Sequence, residues 1–230
     1  HKLVILASLA FGLPLDVAAP VKQGIQAITP EDLEFAASMG YRVKHLGIAR
    51  RQGDRVEMRV HPTLIPERKQ LANVDGVLNA IMIKGDAVGE LVLVGPGAGG
   101  AATASAVCAD LADIARTPAG NGPALGVPMA QLTSQTLMPA DEIASEWYVR
   151  LTASDCAGVM SDITHVLANH NVSIESLLQN PPQEGQATVA IVLLTHVASA
   201  SVMTAVMKEI TALAEVQPDF TLLRVEAFDQ

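Results

Sequence analysis

The sequence predicts an α+β fold, a mixed sheet with helices on one face followed by a ferredoxin-like βαββαβ unit. Three observations predict it. Two pairs of strand-patterned segments, each joined by a short turn, lie between residues 41 and 94. A segment of helical period, rich in small residues, follows at Ala101–Arg116. From Trp147 onward, strand and helix patterns alternate in the order βαββαβ.

Each element has a local reason. Residues 1–12 form an apolar run that Gly12-Leu13-Pro14 ends, which predicts a helix. Thr29-Pro30-Glu31-Asp32 starts another: Thr29 caps, Pro30 suits the first helical position, and Asp32 completes a capping box. Gly40 closes it as a C′ glycine does. Arg55–Val60 alternates strictly, so Val56, Met58 and Val60 should share a buried face, with Tyr41–Arg50 as partner across Gln52-Gly53-Asp54. Val77–Ile83 and Val88–Val94 flank Lys84-Gly85-Asp86 as a second hairpin. Residues 117–145 carry turn formers, notably Thr117–Pro123, and no strong period. Beyond them, strands are expected at 147–153, 172–179, 188–196 and 221–228. Helices are expected at 158–169 and 201–213, with Val159, Ile163, Val166 and Leu167 on one face of the first. Val202, Val206, Ile210 and Leu213 share a face of the second, and a turn is expected at 180–185.

Composition narrows the function classes. The 230 residues are 50% hydrophobic and 17% charged, enough for a packed core. Lys and Arg number 15 against 24 Asp and Glu, a formal net charge of −9, which argues against a general nucleic-acid binder. Aromatics at 3% provide no stacking platform for single strands. Two cysteines, Cys108 and Cys156, make no disulfide framework and fit a reducing cytoplasm. The six histidines are scattered, so no metal site is expected. Mean hydropathy is +0.32. The longest apolar run, Leu3–Leu15, is broken by Gly12 and Pro14 and falls short of the ~20 residues a span requires. It suits a buried helix; the core of a secretion signal is the lesser reading.

Three stretches could carry chemistry. Gly95-Pro96-Gly97-Ala98-Gly99-Gly100 sits between a strand and a helix, where bare backbone could reach a phosphate or simply pack a helix onto a sheet. No acidic residue ends a second strand about 20 positions on, so a self-contained dinucleotide half is disfavoured. Lys2 is the only charged side chain in the first 15 residues; it either snorkels to solvent or points into a site. Asp155-Cys156-Ala157-Gly158-Val159 joins a strand to a helix N-terminus, which suits an anion or merely a capped turn. Cys156 lies there without a visible base and reads as a free structural thiol.

The opening His1–Gly12 resembles the catalytic helix of homoserine dehydrogenases. Val60-His61-Pro62, Val74–Ile81, Gly95–Gly99, Thr103–Val107 and Asp110-Leu111 follow in that family's order. Residues 147–226 resemble an ACT domain, the regulatory module of many bacterial members. The resemblance implies a catalytic and dimerisation domain over 1–117, a linker over 118–145 and an ACT domain over 146–230. It implies interconversion of L-homoserine and L-aspartate 4-semialdehyde in threonine and methionine biosynthesis, with NADP or NAD as cofactor. Lys2 matches the catalytic lysine; Gly99, with Gly97 and Ala98, matches the cofactor-contacting loop. Asp155, Gly158, Val159 and Asn171 match the ACT ligand loop and its neighbouring turn, implying threonine as effector. Ala157 and Cys156 depart from the usual proline and lysine there. The helix after the glycine loop packs back on the nucleotide domain in that family, and 41–94 is its dimer surface. A cytoplasmic homodimer or homotetramer is implied, with no nucleic-acid or membrane partner. The nucleotide-binding domain and the first part of the catalytic domain are expected ahead of His1, so this chain alone is expected to be inactive. The alternative is a non-catalytic ACT-type amino-acid sensor.

Overall fold

The structure is a computed structural model that describes residues 1–117, 136–179 and 187–228. Residues 118–135, most of the expected linker, and the turn expected at 180–185 lie outside the described residues.

Helix α1 (Lys2–Phe11) ends at Gly12, whose left-handed backbone (φ 68°) suits a residue without a side chain. A two-residue strand β1 (Val21–Lys22) precedes α2 (Pro30–Ser38), and the capping box at Thr29 and Asp32 is present as expected. Strands β2 (Tyr41–Gln52) and β3 (Arg55–Pro66) form one long hairpin, paired from Tyr41–Pro66 to Gln52–Arg55. A second hairpin, β4 (Leu78–Gly85) and β5 (Gly89–Pro96), makes a separate two-stranded sheet and leads to α3 (Gly100–Arg116). Within the expected linker, Thr136–Leu137 forms strand β6. The expected βαββαβ unit then follows as β7 (Ala144–Ser154), α4 (Val159–Asn169), β8 (Ile174–Gln179), β9 (Thr188–Ser199), α5 (Ala200–Ile210) and β10 (Val216–Val225).

One sheet unites the two regions. Within the unit the spatial order is β10-β7-β9-β8, all antiparallel, which is the ferredoxin-like order. Strand β3 has β2 along one edge. Along its other edge it takes three short parallel partners in turn: β6 at Arg55–Val56, β1 at Arg59–Val60 and β10 at Thr63–Leu64. Parallel neighbours commonly imply burial on both faces, and β3 is buried almost throughout.

That burial corrects two expectations. Val56 and Met58 are buried as the alternation implies and Val60 only partly, yet Glu57 and Arg59, which alternate with these three, are inaccessible, because the other face of β3 is covered too. Helices also lie on both faces rather than one. Phe35 and Ala36 of α2 pack with Leu64, Tyr148, Val192 and Leu223, while α4 and α5 pack against Trp147, Val149, Leu151 and Ile191 on the opposite face. Ala7 of helix α1 and Leu13 just beyond its end cover Val56 and Met58, so the opening apolar run is part of the fold. The face of α4 is as expected; that of α5 is shifted, with Met203, Val206, Met207 and Ile210 buried. No helix among the described residues is long and apolar enough to cross a membrane.

Candidate functional site

The glycine-rich bend is positioned by the second hairpin. Asn79 of β4 stands opposite Gly95 of β5, and the Gly97 N–H donates to the Val77 carbonyl at 3.0 Å. A Cβ on Gly97 would collide with the Asn79 side-chain amide, so glycine is needed there for packing. Gly99 has a different reason: its φ of 112° is a backbone that side chains disfavour, and open space surrounds it. It is the N-cap residue of α3, and no side chain caps that helix. The first N–H groups of α3 therefore face outward at its positive end, which suits an anionic oxygen. A shallow groove of about 300 Å³ runs beside the bend along Asn79, Ala80, Ile81, Leu93 and Gly97. Gly97, Ala98 and Gly99 are all exposed.

Lys2 begins α1 and is exposed. Its neighbour Leu3 lies against Gly47 of β2, where an added Cβ would stand about 3.4 Å from the Leu3 side chain. Lys2 is thus fixed on the β2–β3 hairpin, whereas Gly99 hangs from the β4–β5 hairpin. The two occupy different elements, both open to solvent.

The loop from β7 to α4 places Asp155, Cys156, Ala157 and Gly158 at the surface and buries Val159. Gly158 again needs its glycine, at φ 103°, and caps α4 without a side-chain hydrogen bond. The Asp155 N–H is taken by the Ala187 carbonyl and that of Cys156 by Ser154, so free donors begin further along the loop. Asn171, in left-handed backbone at φ 55°, stands at the turn after α4 and is exposed. Both cysteines are free and exposed, and no group of three potential metal ligands occurs among the described residues.

Two buried polar clusters were not anticipated. On the α2 face, Asp32 is fully buried. Its carboxylate accepts from Arg150 Nε at 2.6 Å and Nη2 at 3.2 Å, from the Tyr148 hydroxyl at 3.0 Å, and from the Thr29 N–H and hydroxyl at 2.9 Å each. Thr221 of β10 donates to it as well. Burial alone would raise the Asp32 carboxyl, but Arg150 and Thr29 together hold it below the usual range. Burial and the neighbouring carboxylate push the Tyr148 phenol far up. On the opposite face, Arg59 donates to Glu226 at 2.7 Å and to Ser145 at 2.9 Å, and Arg50 donates to the other Glu226 oxygen at 2.7 Å. Glu57 lies 3.5 Å from Arg59 and 3.6 Å from Arg50. His61 is buried beside them, its Nδ1 2.9 Å from the Thr63 hydroxyl and 3.0 Å from the Pro62 carbonyl. Burial and the nearby guanidinium groups drive its pKa down to about 3, so it is neutral near pH 7. The one available sequence signal was Asp32 in its capping box; nothing in the local pattern paired it with Arg150.

Comparison with known proteins gives this geometry a family. The family model described as homoserine dehydrogenase matches residues 1–112, and the ACT domain model matches 147–215. The homoserine dehydrogenase of Neisseria gonorrhoeae is 43% identical over 231 aligned residues, covering 99% of this chain and 53% of that protein. That of Pseudomonas aeruginosa is 42% identical, covering 85% and 46%. The crystal structure of a homoserine dehydrogenase from Thiobacillus denitrificans superposes with a TM-score of 0.90 at 42% identity, over 99% of this chain and 52% of that one. The chain spans about half the length of the relatives it matches. It belongs to the homoserine dehydrogenase family and carries, after the 1–112 match, an ACT domain.

Proposed function

We propose that this chain supplies the substrate-side and regulatory portions of an enzyme that interconverts L-homoserine and L-aspartate 4-semialdehyde with NADP or NAD. The observation that carries the reading is the near-complete overlap with the Thiobacillus denitrificans enzyme at a TM-score of 0.90. The residues present fit one edge of a dinucleotide: Gly97–Gly100 are exposed and the N-terminus of α3 has no side-chain cap. Gly97, Ala98 and Gly99 would hold that edge through backbone N–H groups. When bound, the nicotinamide supplies or accepts the hydride. Lys2 would exchange the proton of the substrate hydroxyl as the carbonyl forms or disappears, and its ammonium would stabilise the developing alkoxide.

Threonine at the Asp155–Gly158 loop is the proposed feedback signal, supported by the exposed, uncapped start of α4. Subunit pairing and a cytoplasmic setting belong to the same proposal. In full-length protein containing this chain, Lys2→Ala should lower kcat by about 10²-fold in semialdehyde reduction followed by NADPH absorbance. A loss under about threefold, small on that scale, would remove Lys2 from the mechanism. The 230-residue chain alone should not turn over. A sensor-only reading draws on the ACT region's self-contained core. It would gain if threonine bound calorimetrically while full-length protein showed no dehydrogenase activity.

A further inference from the structure

The seam where β10 joins β3 gathers three arginines, Arg59 and Arg224 buried and Arg50 partly exposed, around two buried carboxylates, Glu57 and Glu226. Arg50 and Arg59 share Glu57 and Glu226 between them. Arg224, on β10, receives neither. It is 8% exposed, and among the described residues its side chain has no hydrogen bond or ion pair; the Nε is buried without a partner. Its guanidinium lies 4.4 Å from the centroid of the Trp147 ring. Burial first, then repulsion from Arg59, lowers it to about 10, with Glu57 offsetting only part, so it stays charged at neutral pH. Arg224 thus feels Glu57 without pairing to it, and a buried charge so incompletely compensated is costly.

Arg224 also lines a cavity of about 340 Å³. The cavity sits between the 23–28 segment of the first region and β10 and α5 of the ACT domain, beside the part of β10 that β3 does not reach. Its other walls include Gln23, Ile28, Trp147, Thr204 and Phe220, and no acidic residue lines it. The neighbouring polar groups are already engaged: Trp147 Nε1 donates to the Ala198 carbonyl, Thr204 to the Ala200 carbonyl, and Thr221 is bound to Asp32 and Arg150. Gln23 donates its amide to the Leu222 carbonyl at 3.4 Å, so among the described residues the Arg224 guanidinium is the one cationic lining group without a hydrogen bond. Its planar fork matches a carboxylate, and the apolar walls match a short aliphatic body.

We infer that this cavity is a binding site for a small aliphatic carboxylate, held by Arg224 at the junction of the two regions and separate from the Asp155–Gly158 loop. The site does not depend on the proposed dehydrogenase activity. Trp147 is the chain's single tryptophan and touches the binding group, so its fluorescence reports occupancy. Titration of the chain with sodium butyrate should give a saturable emission change with a midpoint on the order of 1 mM, absent with sodium chloride at equal ionic strength. Arg224→Gln should abolish it. Thr204→Phe, at an exposed helical position, should fill the cavity and weaken the response about tenfold with Arg224 in place. If Arg224→Gln fails to fold, Thr204→Phe decides. A butyrate response no different from chloride, or one untouched by Thr204→Phe, overturns the proposal. So does inorganic phosphate binding more tightly than butyrate.

Discussion

The seam and the hairpin arm are opposite solutions to burying a strand. At the seam, β3 is covered on both faces, and even Glu57 and Arg59 are inaccessible. In the arm, α3 has no buried residue, and β4 and β5 leave Ile81, Ile83, Leu91, Leu93 and Val94 exposed, as α3 leaves Val107, Leu111 and Ile114. The arm's exposed apolar side chains form a surface of the kind that marks interaction sites. Within the expected dimer surface, 41–94, the open apolar area is concentrated at 77–94, because β3 is enclosed by this chain's own strands. The difference separates residues that hold this chain together from residues available to something else.

The largest break should come at the seam. Asp32→Ala leaves Arg150 and Tyr148 facing an empty site and should cost about 3–5 kcal/mol in denaturant unfolding. A second test is pH. Below 6.5, unfolded chains bind a proton that folded His61 refuses until about pH 3. Stability should therefore fall with acidification across that window by up to about 1.4 kcal/mol per pH unit. His61→Gln should flatten that slope in urea melts repeated between pH 7 and 4. Tyr148→Phe removes one hydroxyl from the Asp32 carboxylate and should cost about 1–2 kcal/mol by the same melts. The smallest effect belongs to the arm: Leu93→Ser should shift stability by no more than about 0.5 kcal/mol. If the arm mediates pairing, Leu93→Ser should nonetheless lower the association measured by sedimentation of full-length protein; a seam-sized loss of stability would break the contrast.

Much of the fold was legible because local chemistry specified it. The Thr29–Asp32 capping box, Gly40 after α2 and the apolar face of α4 each carry their own signal; the second hairpin is legible too, but its turn falls at 86–88 rather than at Lys84-Gly85-Asp86, which β4 takes up in part. The joining of the two regions was not legible, because β6, β1 and β10 meet β3 over only two residues each and no local pattern marks so brief a pairing. The period of Arg55–Val60 said polar side outward, and long-range covering by the other strands and helices overrode it. At the candidate site, Gly97 and Gly99 could be seen as glycines with a purpose, but not that one serves Asn79 and the other a helix start. Arg150 and Arg224 fall within expected strands and carry no local signal of their own; their partners Asp32 and Trp147 meet them only in the assembled fold.

The pairing of β10 with β3 also sets a timetable. Thr63 must wait for Arg224, so the sheet cannot be completed until the ribosome has released almost the whole of this stretch. Until then the edge of β3 and the acid–base groups along it stay wet, and a nascent chain would depend on chaperones or on speed to keep that edge from strangers.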